Sequence, residues 1–496
     1  MPISFNEIPA NNRVPFVFAE FNNSFASQGP VQLAYKGLLI GQILATATIA
    51  ANTYARVTSP EGAAVLAGEG SMLHRMALAW FANDNTTEVY IGALADDVAG
   101  VAAAGSILFA GPATAAGTIV LYIGGERLTV GVASGDTADD VATAVAAAIT
   151  AETSLPVTAA VNGVNTDTVD ITFRHKGAVG NSYDIRLNYY DGEALPAGIT
   201  ATITDMAGGA TNPDMSALLA ALGDEWFNIL ALPYTDANSL TDLEAELSDR
   251  FGPLRMIDGV AFTATNDDLS TAGTLGDSRN SPHVSIVGTN QSPTPVFEYA
   301  AAVAAIAAFY GQIDPARPFQ TLALSRILAP AKADRWTNQE RNILLYDNIA
   351  TTRVDAGGNV VVERLVTTYS ESASGAPDTS YLDVNTLLTL MYIRYDFRAY
   401  ILNKYPRHKL ANDGVRIGPG QAVMTPKVGK AEAVVKFRQW EELGLVENFA
   451  QFKSDLIVER NLTDPNRLDF FLPPDLINQF RVAGVQIAFL LQGPTA

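Results

Sequence analysis

The sequence predicts a multidomain protein of mixed α/β and α+β class, in which a layered α/β domain is interrupted by a separate α+β unit. The chain has 496 residues, enough for roughly two to four domains of about 100–200 residues each. Strand-like and helix-like segments alternate over much of it, which is typical of a layered, largely parallel sheet. A stretch rich in Ala, Gly and Thr, residues 95–211, breaks this alternation, which resumes afterwards.

Residues 1–30 come first, and we predict that they form an extended arm. Prolines interrupt this segment at positions 2, 9, 15 and 30, and proline lacks the N–H that a strand ladder needs. Such an arm buries little of its own surface, so it needs a partner surface on its own chain or on a neighbour.

The α/β domain begins after the arm. Residues 31–44 contain strand-like stretches, residues 58–80 resemble a helix, and residues 87–91 resemble a strand. The pattern that resumes near residue 212 alternates again. Its predicted strands span 226–232, 259–263 and 283–287, and its predicted helices span 239–251, 269–276 and 295–310.

The inserted segment 95–211 is predicted to be a self-contained α+β module. It holds 13 acidic and four basic residues, a local net charge of −9. Residues 117–123 alternate as a strand, and Gly124-Gly125 is a hairpin turn signal. A helix that ends near Ala151 begins at a cap, either Asp136 or Thr137.

The last third of the chain is predicted to contain a hairpin, a long helix and a further α+β unit. The hairpin pairs residues 350–354 with residues 360–368, and the long amphipathic helix spans residues 381–403. The final hundred residues form the α+β unit, which ends in a tail broken by prolines.

The charge composition argues for assembly and against several functions. The net charge is −20, which disfavours coating of bare nucleic acid or of an anionic membrane. Only 17% of the residues are charged, against about 25% in an average soluble domain. So few charges suggest that much of the surface is covered, and a large homo-oligomer is the simplest cover.

Cysteine is absent, which excludes disulfides, thiol catalysis and zinc sites built on cysteine. The start of the chain lacks a basic region followed by an apolar one, so we expect no secretory signal and production in a cytoplasm. The longest apolar run, residues 299–310, is predicted to be too short to span a bilayer.

The catalytic and metal-binding candidates each have a simpler explanation. For an enzyme, the ligand-binding residues would be those at the carboxyl ends of strands, where doubly wound sheets bind ligands: Thr235-Asp236, Asn266-Asp267-Asp268 and Thr289-Asn290. Helix caps and turns explain these residues more simply. Three further candidates are the pair Ser281 and His283, the pair His408 and Asp413, and the carboxylate pairs Asp96-Asp97 and Asp139-Asp140 as hard-cation ligands. Strand, solvated and capping roles are the alternatives for these.

One segment is basic in an otherwise acidic chain. Between residues 398 and 438 lie nine basic and two acidic residues, a local net charge of +7. The segment is either a solvated surface or a contact with an acidic partner, steered by complementary charge.

Both ends of the chain resemble the tail sheath proteins of Mu-like contractile-tailed phages. At the start the resemblance is carried by ISFNEIP (3–9), RVP (13–15), EFNNS (20–24) and GLLIGQ (37–42). Near the end it is carried by WEELGLVEN (440–448), LIVER (456–460), DPNRLD (464–469) and LPPDLINQ (472–479). The inserted module is the least diagnostic part.

The resemblance implies a structural part of a virion tail with no catalysis, cofactor or metal. Subunits are expected to form six-membered rings, stacked helically around a tail tube, that contract to drive the tube through the host envelope. The implied partners are other copies of the chain, the tail tube protein, and the baseplate and tail terminator proteins. No nucleic-acid contact or membrane insertion is implied, and assembly is expected in the host cytoplasm.

The resemblance also implies domain roles. Residues 1–30 would be an N-terminal arm, 31–94 with 212–370 the middle domain, 95–211 an outer module, 371–479 an inner domain facing the tube, and 480–496 a C-terminal arm. Both arms would donate strands to neighbouring subunits, through Val14, Phe16 and Phe18 at one end and Val485, Ile487, Phe489 and Leu491 at the other. An inner helix bearing Lys427, Lys430, Lys436 and Arg438 would hold an acidic tube surface.

Two other classes of protein remain open at this point. One is an α/β enzyme or carbohydrate-binding protein of ordinary oligomeric size, which would carry a deep pocket at Asn266 and Asn290. The other is a capsid or surface-layer subunit, although a surface-layer protein would usually need a secretion signal.

Overall fold

The computed structural model describes residues 33–491. Its strands are β1 Lys36–Gln42, β2 Tyr54–Val57, β3 Glu88–Leu94, β4 Ala102–Ala110, β5 Gly117–Ile123, β6 Glu126–Val132, β7 Val157–Val161, β8 Thr168–Lys176, β9 Ile185–Leu187, β10 Thr200–Ala207, β11 Ile229–Ala231, β12 Val260–Thr265, β13 Val284–Gly288, β14 Ile349–Val354, β15 Val360–Arg364, β16 Lys409–Leu410, β17 Val423–Met424, β18 Val446–Glu447, β19 Ile457–Arg460, β20 Leu468–Phe471 and β21 Asp475–Leu476. Its helices are α1 Pro60–Ala67, α2 Met72–Asn83, α3 Ala138–Ala151, α4 Ser216–Leu222, α5 Ala237–Phe251, α6 Leu269–Asp277, α7 Val296–Ile313, α8 Asn338–Tyr346, α9 Val384–Lys404, α10 Pro426–Glu442 and α11 Phe449–Asp455.

An eight-stranded sheet forms the centre of the molecule, in the order β15-β14-β13-β12-β11-β1-β3-β2. The six strands from β14 to β3 pair in parallel, and the two edge strands β15 and β2 pair antiparallel. Leu38, Leu39 and Ile40 in β1 are fully buried, as expected for a strand covered on both faces. The predicted layered α/β class is therefore confirmed.

Helices cover both faces of this sheet. Helix α7 packs against α2 and against β1, β11 and β12, while leucines of α4 and α5 pack on the opposite face with Leu38 and Ile40. Helix α7 is longer than the apolar run predicted from the sequence, and its length and composition would allow it to cross a membrane. However, 78% of that stretch is buried inside the fold, so its apolar surface is used in the core.

Between β3 and α4 the chain forms two smaller antiparallel sheets, β10-β4-β8-β7 and β6-β5-β9, with α3 packed against them. The turn Gly124-Gly125 joins β5 to β6 with positive φ at both residues, as predicted. Thr137, the second of the two predicted caps, is the N-cap of α3 in a capping box with Asp140.

A buried ion pair links this inserted region to the rest of the fold. Arg75 in α2 binds Glu298 of α7 at 2.7 Å and Glu126 of β6 at 2.9 Å.

Helix α9 connects the central sheet to the C-terminal region. Its first half, including Leu387 and Leu388, belongs to the main core. Its second half contacts a separate small core with Phe437 and Trp440 of α10 and Phe452 of α11. The prediction that this helix begins at residue 381 was wrong, because Asp383 is extended and serves as its N-cap.

Candidate functional site

The C-terminal segment is exposed and apolar. Its last hydrogen bond between two backbone groups joins the Ile477 N–H to the Leu445 carbonyl at 3.1 Å. Within the described part of the chain, no hydrogen bond or ion pair involves residues 482–491. The predicted strand residues Val485, Ile487, Phe489 and Leu491 are 79%, 82%, 77% and 85% exposed. Four apolar side chains left in water next to an unpaired backbone are suited to pairing with another surface.

The β19–β20 hairpin has two free edges, and the sequence alone did not single it out. Its strands pair antiparallel with each other and with no further strand among residues 33–491. The Phe470 ring packs edge-on against Phe397 of α9 with centroids 5.4 Å apart, and Leu468, Phe470 and Val458 pack closely around Gly429 of α10. Ile457 and Phe471 remain more than half exposed. A two-stranded sheet fixed in this way can accept a strand at either edge.

The predicted tube-facing residues Lys427 and Arg438 lie at opposite ends of α10, and both are exposed. The Lys427 backbone N–H donates to Asp413 at 3.0 Å, and within residues 33–491 its ammonium forms no ion pair. The Arg438 guanidinium pairs with Glu441 at 2.5 Å and lies 3.3 Å from the centre of the Phe449 ring.

Lys430 and Lys436 occupy different environments from those two residues. The Lys430 ammonium donates to the Leu456 carbonyl at 2.8 Å, which ties α10 to the residue preceding β19. Lys436 is buried, and its ammonium lies 2.5 Å from the buried Asp396 carboxylate. Lys436 therefore presents no charge at the surface of this chain. The other predicted contacts, Val14, Phe16 and Phe18, lie outside the described residues.

The polar residues at the carboxyl ends of the central strands serve as caps and turns. The carboxylates of Asp236 and Asp268 cap α5 and α6. The Thr289 hydroxyl donates to Asn266 at 2.5 Å, and Asn290 has a positive φ of 55° in the loop after β13. These contacts agree with the simpler interpretation of the pattern.

The candidate catalytic pairs have local structural partners. The Ser281 hydroxyl accepts from the backbone N–H of His283 at 3.2 Å. The His283 imidazole packs on the Phe251 ring with centroids 5.0 Å apart, and burial lowers its pKa to about 4. Asp413, the predicted partner of His408, instead accepts from Lys427. Within the described residues, neither imidazole is hydrogen-bonded to its predicted partner.

The two carboxylate pairs are likewise occupied by protein donors. Asp96 accepts from the Gln42 side chain and from the Lys176 backbone, and Asp97 accepts from Ala99. Asp140 completes the cap of α3, and Asp139 accepts from Thr166. Among residues 33–491, no group of three or more metal-ligating side chains could hold a metal ion.

Comparison with known proteins gives consistent matches. The family model of the phage tail sheath protein central domain matches residues 208–368, and that of the phage tail sheath C-terminal domain matches residues 376–489. The Mu-like prophage FluMu tail sheath protein of Haemophilus influenzae is 44% identical over 491 residues, covering 99% of this chain and 100% of that protein.

Two solved structures give looser matches. The sheath tail protein of Desulfitobacterium hafniense is 13% identical with a TM-score of 0.48, covering 93% of this chain and 100% of that one. The sheath complex of an extracellular contractile injection system in its contracted state is 10% identical with a TM-score of 0.47, covering 96% and 98%.

The family-model matches and the full-length relative agree with the resemblance carried by the two ends of the sequence, and they leave no place for the enzyme or surface-layer alternatives. The chain belongs to the phage tail sheath family and is a non-enzymatic structural subunit of a contractile virion tail.

Proposed function

We propose that copies of this chain form six-membered rings, stacked helically around the tail tube, whose contraction drives the tube through the host envelope. The baseplate, which would trigger contraction, and the tail terminator are the further partners. The exposed, unpartnered C-terminal segment carries this proposal, because it gives each subunit a means of joining another copy. The low charged fraction, 17%, is consistent with extensive burial between copies.

The joining contact would be strand addition. Residues 482–491 of one subunit would pair with a free edge of the β19–β20 hairpin in the next, and the N-terminal arm would add a further strand. Each ladder hydrogen bond contributes about 0.5–1.5 kcal/mol net, and each buried large apolar side chain about 1.5–3 kcal/mol. A C-terminal strand with a few such bonds and several buried side chains would therefore hold neighbours firmly, while the remaining surfaces could change their packing.

Removal of residues 482–496 tests this proposal directly. The truncated chain should remain folded, because residues 482–491 make no contact that the fold needs, but it should fail to sediment as polymer. Ile487→Asp should weaken assembly in the full-length chain, and Val164→Asp serves as its control because Val164 is 88% exposed in the inserted module. Assembly of the truncated chain at the wild-type concentration would refute strand donation.

The sheath would contact the tube through α10. Lys427 and Arg438 are the exposed basic residues of that helix, and Lys430 lies along it with its ammonium on a backbone carbonyl. Contact with an acidic tube through exposed charges would be sensitive to salt, which suits a contact that must release.

In this arrangement residues 371–479 face the tube, residues 31–94 with 212–370 form the middle layer, and residues 95–211 face outward.

Charge reversal tests the tube contact. Lys427→Glu with Arg438→Glu should reduce co-sedimentation of the sheath with tail tubes at low salt without preventing self-assembly. Lys332→Glu is the control, because Lys332 is also well exposed but lies far along the chain from α10. If the double variant binds tubes as well as the control, α10 is not the tube contact.

A further inference from the structure

The C-terminal tail is attached to the middle of the molecule before it becomes free. After β21 the chain leaves the small C-terminal core and returns to the region of the central sheet. There the Gln320 side-chain amide donates to the Phe480 carbonyl at 3.2 Å. The next residue, Arg481, places its guanidinium 2.8 Å from the Asp383 carboxylate. We call the set Gln320, Arg364, Asp383 and Arg481 the tail anchor.

Asp383 binds two arginines at once. Arg364 contacts both of its carboxylate oxygens, at 2.9 Å and 3.0 Å, in a bidentate pair, and Arg481 adds a third charge-assisted bond. The side chains of Asp383 and Arg481 are only 19% and 15% exposed. Partial burial reduces screening by salt, but burial and the neighbouring Arg364 also lower the pKa of Arg481, so the three bonds fix the geometry of the group more than they add stability.

The tail anchor lies where two elements of the fold meet. Arg364 is the last residue of β15, the edge strand of the central sheet. Asp383 is the N-cap of α9 and makes no side-chain capping bond, since its carboxylate is turned to the two arginines. By contrast, β21, which precedes the tail, pairs with β18 over only two residues.

We propose that Arg481 is a positioning residue that fixes the origin of the donated strand, so that tension from a neighbouring subunit enters this chain at β15 and α9 and not through the short β18–β21 pairing. This inference rests on the proposed strand donation. The tail then has two parts: an attached part that ends at Arg481 and a free part that begins at Val482. Helix α9 then connects the point of attachment to both cores.

Loss of the anchor would lengthen the flexible connector. With the anchor intact, about four residues separate Arg481 from Val485; with both the Arg481 ion pair and the Gln320 hydrogen bond removed, about eight residues separate Ile477 from Val485. The effective concentration of a tethered segment falls roughly as the −3/2 power of connector length, so this doubling should lower it by about threefold. The concentration needed for assembly should rise by about the same factor.

Arg481→Ala combined with Gln320→Ala removes both contacts that hold the tail, while Asp383 keeps its bidentate partner Arg364. Arg56→Ala is the control, since Arg56 is an exposed arginine that pairs with Glu88 at 3.3 Å. The chain has no cysteine, so Val482→Cys gives a single site for a nitroxide spin label. We expect the double variant to mobilise the label in the unassembled chain and to raise the critical concentration for sedimentation by about threefold, with partial recovery when Arg481→Lys replaces Arg481→Ala.

The outcomes separate the anchor from strand donation itself. If the double variant of Arg481 and Gln320 matches Arg56→Ala in both label mobility and critical concentration, while removal of residues 482–496 prevents assembly, the anchor is refuted and strand donation stands. If the truncated chain assembles like the wild type, strand donation is refuted and the assigned role of Arg481 falls with it.

Discussion

Replacing Lys436 by Met should destabilise the C-terminal core without acting through the tail tube. The methionine fills the space of the lysine stem but removes the ammonium that lies 2.5 Å from Asp396. Asp396 then keeps only the indole N–H of Trp440, at 2.7 Å. Both charged side chains are at most 5% exposed, so the remaining carboxylate cannot recover its hydration.

Lys436→Met should lower the free energy of unfolding by about 3–5 kcal/mol, which is typical when one partner of a buried ion pair is removed. Adding Asp396→Leu should recover most of this free energy, because an apolar pair of similar volume avoids the uncompensated charge. A residual cost of about 1–3 kcal/mol should remain, since the Trp440 indole N–H loses its acceptor.

Urea unfolding of the unassembled chain, followed by tryptophan fluorescence and circular dichroism, measures this effect. A chain with several cores need not unfold in one step, so the transition that reports on Trp440 is the relevant one. A change below about 1 kcal/mol in Lys436→Met would refute the buried-pair assignment. If the same variant lost tube binding at wild-type stability, Lys436 would be a contact residue after all.

Three further predictions concern packing, pH and capping. Gly37→Ala should lower the free energy of unfolding by about 1–3 kcal/mol through overpacking, because the new Cβ would lie well inside contact distance of the buried Trp80 ring. A melting temperature equal to that of the wild type would contradict this. Burial holds the folded pKa of His283 at about 4, below the unfolded value of about 6.5, so its contribution to stability is present above pH 6.5 and lost as the pH falls toward 4. His283→Gln should therefore reduce the loss of unfolding free energy between pH 7 and 5 by about 2 kcal/mol. Burial raises the pKa of Asp258 to about 6, which gives stability the opposite dependence on pH, so the informative quantity is the difference between wild type and variant. Parallel pH profiles of the two proteins would refute the assignment. Thr337→Ala should lower the unfolding free energy by about 1 kcal/mol, since Thr337 forms a capping box at α8, and Thr337→Ser should retain it.

Local patterns predicted much of the fold because the relevant signals lie close together in the sequence. Strand–helix alternation gave the parallel sheet, and Gly124-Gly125 gave a hairpin turn at the predicted place. The strand predicted over 226–232 is regular over Ile229–Ala231, and Asn228 and Leu232 continue its backbone hydrogen bonds to the neighbouring strands. The prediction of one helix over 58–80 was wrong, because α1 ends at Gly68, which has a φ of 93°, and α2 begins at Met72 after its cap Ser71.

The predicted tube-contact residues on α10 show that the sequence alone does not reveal partners on distant elements. Lys436 lies on the buried face of that helix with Gly429, Ala433, Phe437 and Trp440. Helical spacing could have placed it there, because positions three, four and seven residues apart share a face. The sequence could not show that the compensating carboxylate comes from residue 396, on a different helix. The β19–β20 hairpin was also missed, since free strand edges become visible only once all pairings are known.

Cryo-electron microscopy of the assembled polymer would show directly whether neighbouring subunits exchange strands. We expect density for residues 485–491 as a strand hydrogen-bonded to the β19–β20 hairpin of a neighbouring subunit, with Arg481 still on Asp383 of its own chain. A polymer in which both edges of that hairpin are free, or in which residues 485–491 fold back on their own subunit, would contradict it.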